Sequence, residues 1–157
     1  MSFRVGIGVD AHKLERGVPL ILGGVRLDFD RGLSGHSDGD VLAHALIDAL
    51  LGAAGLGDIG ALFPSGDERY RGADSLDLLR DAYKQVTDAG WTLVNADCVL
   101  IGQEPKIASR RAEMRERLSE ACGGGEVNVR ATTMDRLGFT GRGEGLAAHA
   151  VALLERR

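Results

Sequence analysis

The chain has 157 residues, 44% of them hydrophobic, 27% charged and 23 of them glycine, with a net charge of −4. That length suffices for the core of one ordinary domain, and the acidic balance excludes a general nucleic-acid or membrane-surface binder, which needs a dominant basic face. Cys98 and Cys122 lack zinc-ligand spacing, and no signal peptide or apolar run of membrane length is visible in these 157 residues. A soluble cytoplasmic protein in a reducing compartment is therefore expected.

Phe3, Val5, Ile7 and Val9 alternate with small or polar residues, the period-two pattern of a strand with one buried face. Asp10 and His12, two apart, are expected to leave the end of that strand side by side. Pro19 to Leu27 sets two apolar runs around Gly23-Gly24 and predicts a tight antiparallel hairpin. Asp28 to Gly35 is polar and reads as a loop, either a mobile flap or an ordinary connection. A helix is expected from about 38 to 54, with Ser37 or Asp38 as N-cap, Leu42, Leu46, Ala49, Leu50 and Ala53 as its buried stripe, and His44 and Asp48 off that stripe. Asp58 to Asp67 reads as a loop.

A second helix is expected at about 75–89, with Leu76, Leu79, Tyr83 and Val86 on one face and Gly90 as its stop. Trp91 to Ile101 predicts a long strand, with Leu93, Val99 and Ile101 on one side and Val94, Ala96, Cys98 and Leu100 on the other. Asn95 and Asp97 interrupt the first side and suggest an edge or a subunit interface. Pro105 is expected to start a helix that runs to about Ala121 and buries Ile107, Met114 and Leu118. Val127 to Thr133 alternates as a further strand, Gly138 to Gly145 reads as a glycine-rich bend, and Leu146 to Leu154 fits strand or helix by periodicity, with strand preferred. The fold class expected is α/β (α+β): a single-domain sandwich over residues 1–157, with a mostly four-stranded mixed sheet, helices on one face and a short β-hairpin.

The chemistry gathers at Asp10, His12 and His44. One carboxylate and two imidazoles leave a fourth tetrahedral position open, as in catalytic zinc sites, although the same set also suits iron(II). Asp48, one helical turn after His44, is expected to receive the second imidazole N–H. Glycine-rich loops, the paired Thr132-Thr133 and Arg142 between glycines together suggest an anion cradle and favour phosphoryl chemistry over an iron oxygenase.

Asp10-Ala11-His12-Lys13-Leu14, His36-Ser37-Asp38-Gly39-Asp40, Asp58-Ile59-Gly60, Ala131-Thr132-Thr133 and the run Leu137 to Gly145 closely resemble, in order and nearly end to end, the 2-C-methyl-D-erythritol 2,4-cyclodiphosphate synthase family. The resemblance implies a homotrimer with interfacial active sites, converting 4-diphosphocytidyl-2-C-methyl-D-erythritol 2-phosphate to the cyclic diphosphate with release of CMP. It assigns zinc to Asp10, His12 and His44, and transition-state stabilisation to His36 and Thr133. Asp10, His12, His36, Ser37, Asp58, Ile59, Gly60, Phe63, Ser65 and Asp67 would face the methylerythritol and phosphates. Gly102, Pro105, Lys106, Ile107 and Ala108 would hold the cytidine, with Thr132, Thr133, Met134 and Asp135 from a neighbouring subunit's side. Asp135 would hold a second divalent ion, Mg2+ or Mn2+, and Phe139 and Arg142 would lie near the three-fold axis, where some relatives hold a prenyl diphosphate. Two positions depart from the family pattern: Asp135 stands where Glu is usual, and Ser65 where Asp is frequent. The competing readings are a zinc-dependent phosphodiesterase with an open product and a non-enzymatic trimeric binder of nucleotide or prenyl diphosphate.

Overall fold

Strand β1 (Ser2–Arg16) turns Gly6, Gly8, Asp10 and His12 to one side and Phe3, Val5, Ile7 and Val9 to the other. The side that packs inward is the glycine side. Helix α1 (Val41–Ala54) lies directly on it. A Cβ at Gly6 would stand 2.1 Å from the Ala49 carbonyl oxygen, and one at Gly8 only 1.8 Å from that of Ala45. Phe3, Val5, Ile7 and Val9 are instead 51, 68, 66 and 54% exposed, so the face expected to be buried is the outer one. Alternation identifies two faces; it does not say which of them a close-packed helix will choose. Nor does the strand stop before Asp10, because its pairing with β7 (Gly145–Arg156) continues through His12↔Leu146 and Lys13↔Gly145.

The computed structural model describes residues 1–156. The remaining elements, in chain order, are β2 (Leu20–Leu22), β3 (Val25–Leu27), β4 (Arg31–Leu33), α2 (Ile59–Leu62), a 3-10 turn at Glu68–Tyr70, α3 (Ser75–Asp88), β5 (Thr92–Ile101), α4 (Arg111–Ala121), β6 (Glu126–Thr132) and α5 (Gly138–Gly141). Strands order as β4-β1-β7-β5-β6, antiparallel except for β5 and β6, which run parallel with α4 in the connection between them. The mixed sheet thus has a long four-stranded body, and the three-residue β4, within the stretch expected to be a loop, adds a short fifth strand through Leu14↔Leu33. β2 and β3 form the separate hairpin around Gly23-Gly24, both with positive φ. Residues 145–156 form a strand; its buried row Ala148, Ala150, Ala152 and Leu154 faces the helices.

Several boundaries differ from expectation for local reasons. The N-cap of α1 is Asp40, not Ser37 or Asp38. Its carboxylate is fully buried and accepts from the amides of Ala43, Gly23 and Gly24, so one side chain both starts the helix and ties down the hairpin turn. Burial, and then the charge of nearby Asp38, push the Asp40 pKa up, with these three amides opposing the shift. Asp58 caps α2 within the stretch read as loop, and Asp67 caps the 3-10 turn. A bulge between Leu93 and Asn95 moves Leu93 onto the buried side with Ala96, Cys98 and Leu100 and leaves Val94 exposed. β5 is flanked by β7 and β6 and is not an edge. Pro105 does not begin α4: Ile107, buried in the core, anchors a turn closed by Arg110 N–H on the Ile107 carbonyl, and the helix starts at Arg111. The bend after Leu137 contains the single turn α5. Cys98 and Cys122 are free and buried.

Because the carbonyl of Ala45 cannot swing aside as a side chain can, Gly8→Ala is expected to lower unfolding free energy by about 3 kcal/mol in a urea titration. An unchanged midpoint would mean that α1 is not seated on β1 in this way.

Candidate active site

Asp10 and His12 extend the inward row of β1 beyond the glycines, and His44 is one turn into α1, its amide donating to the Asp40 carbonyl. The seating of α1 on Gly6 and Gly8 brings them together. Asp10 Oδ2 lies 3.0 Å from His12 Nε2 and 3.0 Å from His44 Nδ1, and the two ring nitrogens are 3.3 Å apart. A tetrahedral cation with bonds of about 2.0–2.1 Å requires ligand atoms about 3.3 Å apart, so this triangle is close to one face of such a tetrahedron. Asp10, His12 and His44 fit a divalent metal site, and all three line the adjoining cavity.

The electrostatics are those of a charged cluster. Burial raises the Asp10 pKa, but hydrogen bonds and charge from His12 and His44 together carry it down to about 2. The hydrogen bond to Asp10 raises the His12 pKa above its usual value, against the effect of burial. The expected partner of the second His44 nitrogen is corrected. Asp48 accepts from the Ile59 amide at 2.7 Å and steadies α2 instead. Its own pKa is raised by burial. His44 Nε2 faces the hydroxyls of Ser75, at 2.8 Å, and Ser37, at 3.1 Å. Ser75 is wholly buried at the start of α3, and sequence reasoning missed it because no spacing rule links an N-terminal helix serine to a histidine 31 positions earlier.

A cavity of about 400 Å³ opens over the triad. Of the residues singled out in the sequence, Asp10, His12, His44, His36, Ser37, Ile59, Gly60, Phe63 and Ser65 line it. Tyr70, not anticipated, joins them, its ring 5.3 Å from that of Phe63 in a T-shaped contact. His36 Nε2 donates to the Asp67 carbonyl at 2.8 Å and so ties the wall formed by 58–70 to the floor. Asp58 and Asp67 do not line this cavity. Asp58 caps α2 through the Ala61 amide, and the Asp67 carboxylate is held by the Arg69 guanidinium, which pulls its pKa down. A larger cavity, about 490 Å³, lies between the hairpin and Arg110 and contains none of these residues.

The remaining residues assemble elsewhere. Gly102 N–H donates to the Thr132 carbonyl, and Arg136 N–H to the Gln103 side-chain oxygen, which joins the segment 102–108 to the end of β6. There Thr133 and Asp135 are mutually hydrogen bonded, Thr133 half-buried and Asp135 exposed with a φ of +51°, Met134 is exposed, and Lys106 Nζ donates to the Gln103 carbonyl. The Ile107 side chain is committed to the core. Registers Asp10↔Ala148, Ala148↔Leu100 and Leu100↔Ala131 put this group three strands from the triad, about 14 Å across the sheet. Phe139 is exposed beside Ala11 and Lys13, and Arg142 pairs with Glu144 at 2.9 Å.

Residues 3–155 match the model of the YgbB family. A curated protein of Rubrobacter xylanophilus named 2-C-methyl-D-erythritol 2,4-cyclodiphosphate synthase is 57% identical over 160 residues, covering 99% of this chain and 96% of that one. Among solved structures, the bifunctional IspDF from Campylobacter jejuni is 41% identical with a TM-score of 0.95, and matches 99% of this chain and 43% of that longer one. IspF of Plasmodium falciparum, solved as a CDP complex, is 30% identical with a TM-score of 0.86, with 99% and 97% of the two chains covered.

His12 must give up its proton before it can ligate a metal, and Asp10 helps it keep that proton. Zinc affinity measured by calorimetry is therefore expected to fall as pH is lowered through the raised His12 pKa, approaching a loss of about tenfold per pH unit below it. A flat profile would contradict the assignment of this imidazole as a ligand.

Proposed function

This chain belongs to the YgbB family, and from that premise we propose that it is a metal-dependent 2-C-methyl-D-erythritol 2,4-cyclodiphosphate synthase, a phosphorus–oxygen lyase of the methylerythritol phosphate route to isoprenoids. The observation that carries the reading is the triangle of Asp10, His12 and His44 at the floor of a cavity lined by His36, Ser37 and Gly60, in a chain 57% identical to a protein of that name.

In the proposed reaction, an oxygen of the substrate's 2-phosphate attacks the diphosphate phosphorus nearer the methylerythritol. A P–O bond forms there, the P–O–P bridge to the cytidine side breaks, and CMP leaves with the electron pair. With a second phosphate pKa of about 6 the nucleophile is already an anion, so no strong general base is required of the protein. Asp10, His12 and His44 would hold zinc, and Asp135 a Mg2+ or Mn2+ ion; when bound, these cations would supply Lewis-acid neutralisation of the phosphates. His36, its ring fixed through the Asp67 carbonyl, and Thr133 are assigned to oxygens whose negative charge grows. The cavity wall from Ile59 to Ser65 with Tyr70 holds the substrate bent, and for such intramolecular attack effective molarities of about 10⁵ M are attainable. Gly102 to Ala108, with Lys106, and Thr132 to Asp135 are assigned to the cytidine and its phosphates.

The triad and the Thr133–Asp135 group lie on different parts of one chain, and the outer sheet face leaves Phe3, Val5, Ile7, Val9, Val94 and Val151 exposed. Both features support a homotrimer in which the second half of each site comes from the neighbouring copy. Phe139 and Arg142 would then face the central axis as a prenyl diphosphate site. The two free, buried cysteines fit a cytoplasmic, single-domain enzyme.

Phosphorus NMR of the product is expected to show a cyclic diphosphate together with CMP; a linear bisphosphate would mean hydrolysis and would overturn the reading. His44→Ala is expected to lose bound zinc and turnover together, turnover dropping to that of a metal-depleted sample, and unchanged turnover without metal would contradict the metal's role. Light scattering is expected to give three times the chain mass; a monomer that turns over would refute the shared site.

A further inference from the structure

We infer that Asp38, acting through the hydroxyl of Ser75, is the positioning residue that orients the His44 ring toward the cation; this rests on the metal-site reading above. Proton accounting supports it. Asp38 accepts three hydrogen bonds, from the Ser75 amide at 3.0 Å, from the Asp40 amide at 3.1 Å and, in a very short contact, from the Ser75 hydroxyl. A carboxylate so surrounded donates nothing. The single hydroxyl proton of Ser75 is therefore committed to Asp38, and Ser75 Oγ turns a lone pair to His44 Nε2, 2.8 Å away. Nε2 must then carry the ring's N–H and donate it.

The consequence falls on the other side of the ring. Nδ1 keeps its lone pair and joins those of Asp10 Oδ2 and His12 Nε2 in the triangle described above. Ser37 Oγ, at 3.1 Å, is a second acceptor for the same N–H, but it faces the cavity, whereas Ser75 is fully buried and is polarised by the carboxylate behind it. The chain is thus carboxylate, hydroxyl, imidazole, metal position. The serine inserts one link into the carboxylate–histidine pair that commonly backs a metal-bound imidazole.

Ser75→Ala removes the hydroxyl yet keeps the backbone bond from position 75 to Asp38, so the start of α3 stays anchored. Zinc affinity of this variant, measured by chelator competition, is expected to fall about 10- to 100-fold, with a shifted visible spectrum of the cobalt(II)-loaded protein. The metal-free melting temperature should stay close to that of the unsubstituted protein. Asp38→Asn is expected to weaken zinc binding alone and to add little in the Ser75→Ala background, because its effect travels through the serine. Unchanged affinity in Ser75→Ala, or additive effects of the two substitutions, would overturn the inference. So would affinity losses that merely track lost metal-free stability in both variants, since the pair would then support the fold only. If the unsubstituted protein binds no zinc, the metal reading itself fails and this inference with it; tight binding there with no change in Ser75→Ala overturns the inference alone.

Discussion

Everything at the site depends on how closely α1 lies against β1. Gly6 and Gly8 remove the side chains that would hold the helix off, and the carbonyls of Ala45 and Ala49 occupy the space. The helix carries His44; the strand carries Asp10 and His12 one pleat further along. At an ordinary separation the imidazole of His44 would not come within 3.0 Å of the Asp10 carboxylate. Asp40 fixes the same helix along its axis by capping it and gripping the hairpin turn, which determines the height at which His44 meets the strand. Backbone packing and one buried carboxylate thus provide the preorganisation that a metal centre needs.

The same packing shapes the outside. Since the inward side of β1 is glycine, its branched and aromatic residues lie on the outer face, where one chain alone leaves them in water. An apolar sheet face of this extent suits contact with further copies. In the proposed trimer it would also bring a neighbour's Thr133–Asp135 group to a triad that lies three strands away from that group within one chain. The arrangement suits the proposed reaction, in which nucleophile and electrophile belong to one molecule and the protein has chiefly to bend the substrate and neutralise its charge.

Much of the site was legible in the sequence because its residues lie in short, rigid periods. Asp10 and His12 share a face by the two-residue repeat, His44 falls one turn after a capping segment, and Gly23-Gly24 between apolar runs could make little other than a hairpin. What was not legible depended on three-dimensional competition. Alternation could not say that glycine would outcompete valine for the inside, since the decision belongs to the partner helix. Asp38, Asp40 and Ser37 are all chemically able N-caps, and only the reach to Gly23 and Gly24 selects Asp40. Asp48 had the right spacing to serve His44 but is drawn off by the Ile59 amide, while Ser75 reaches the ring from a helix remote in sequence. The strand assignment of 145–156 likewise became decidable only with β1 and β5 on either side of it.

The most direct test is X-ray absorption at the zinc edge of the zinc-loaded protein. The account predicts nitrogen and oxygen neighbours at about 2.0–2.1 Å, with the outer-shell scattering of two imidazoles and no sulfur. A sulfur neighbour at about 2.3 Å, or a shell without imidazole scattering, would place the metal elsewhere and contradict the role of Asp10, His12 and His44.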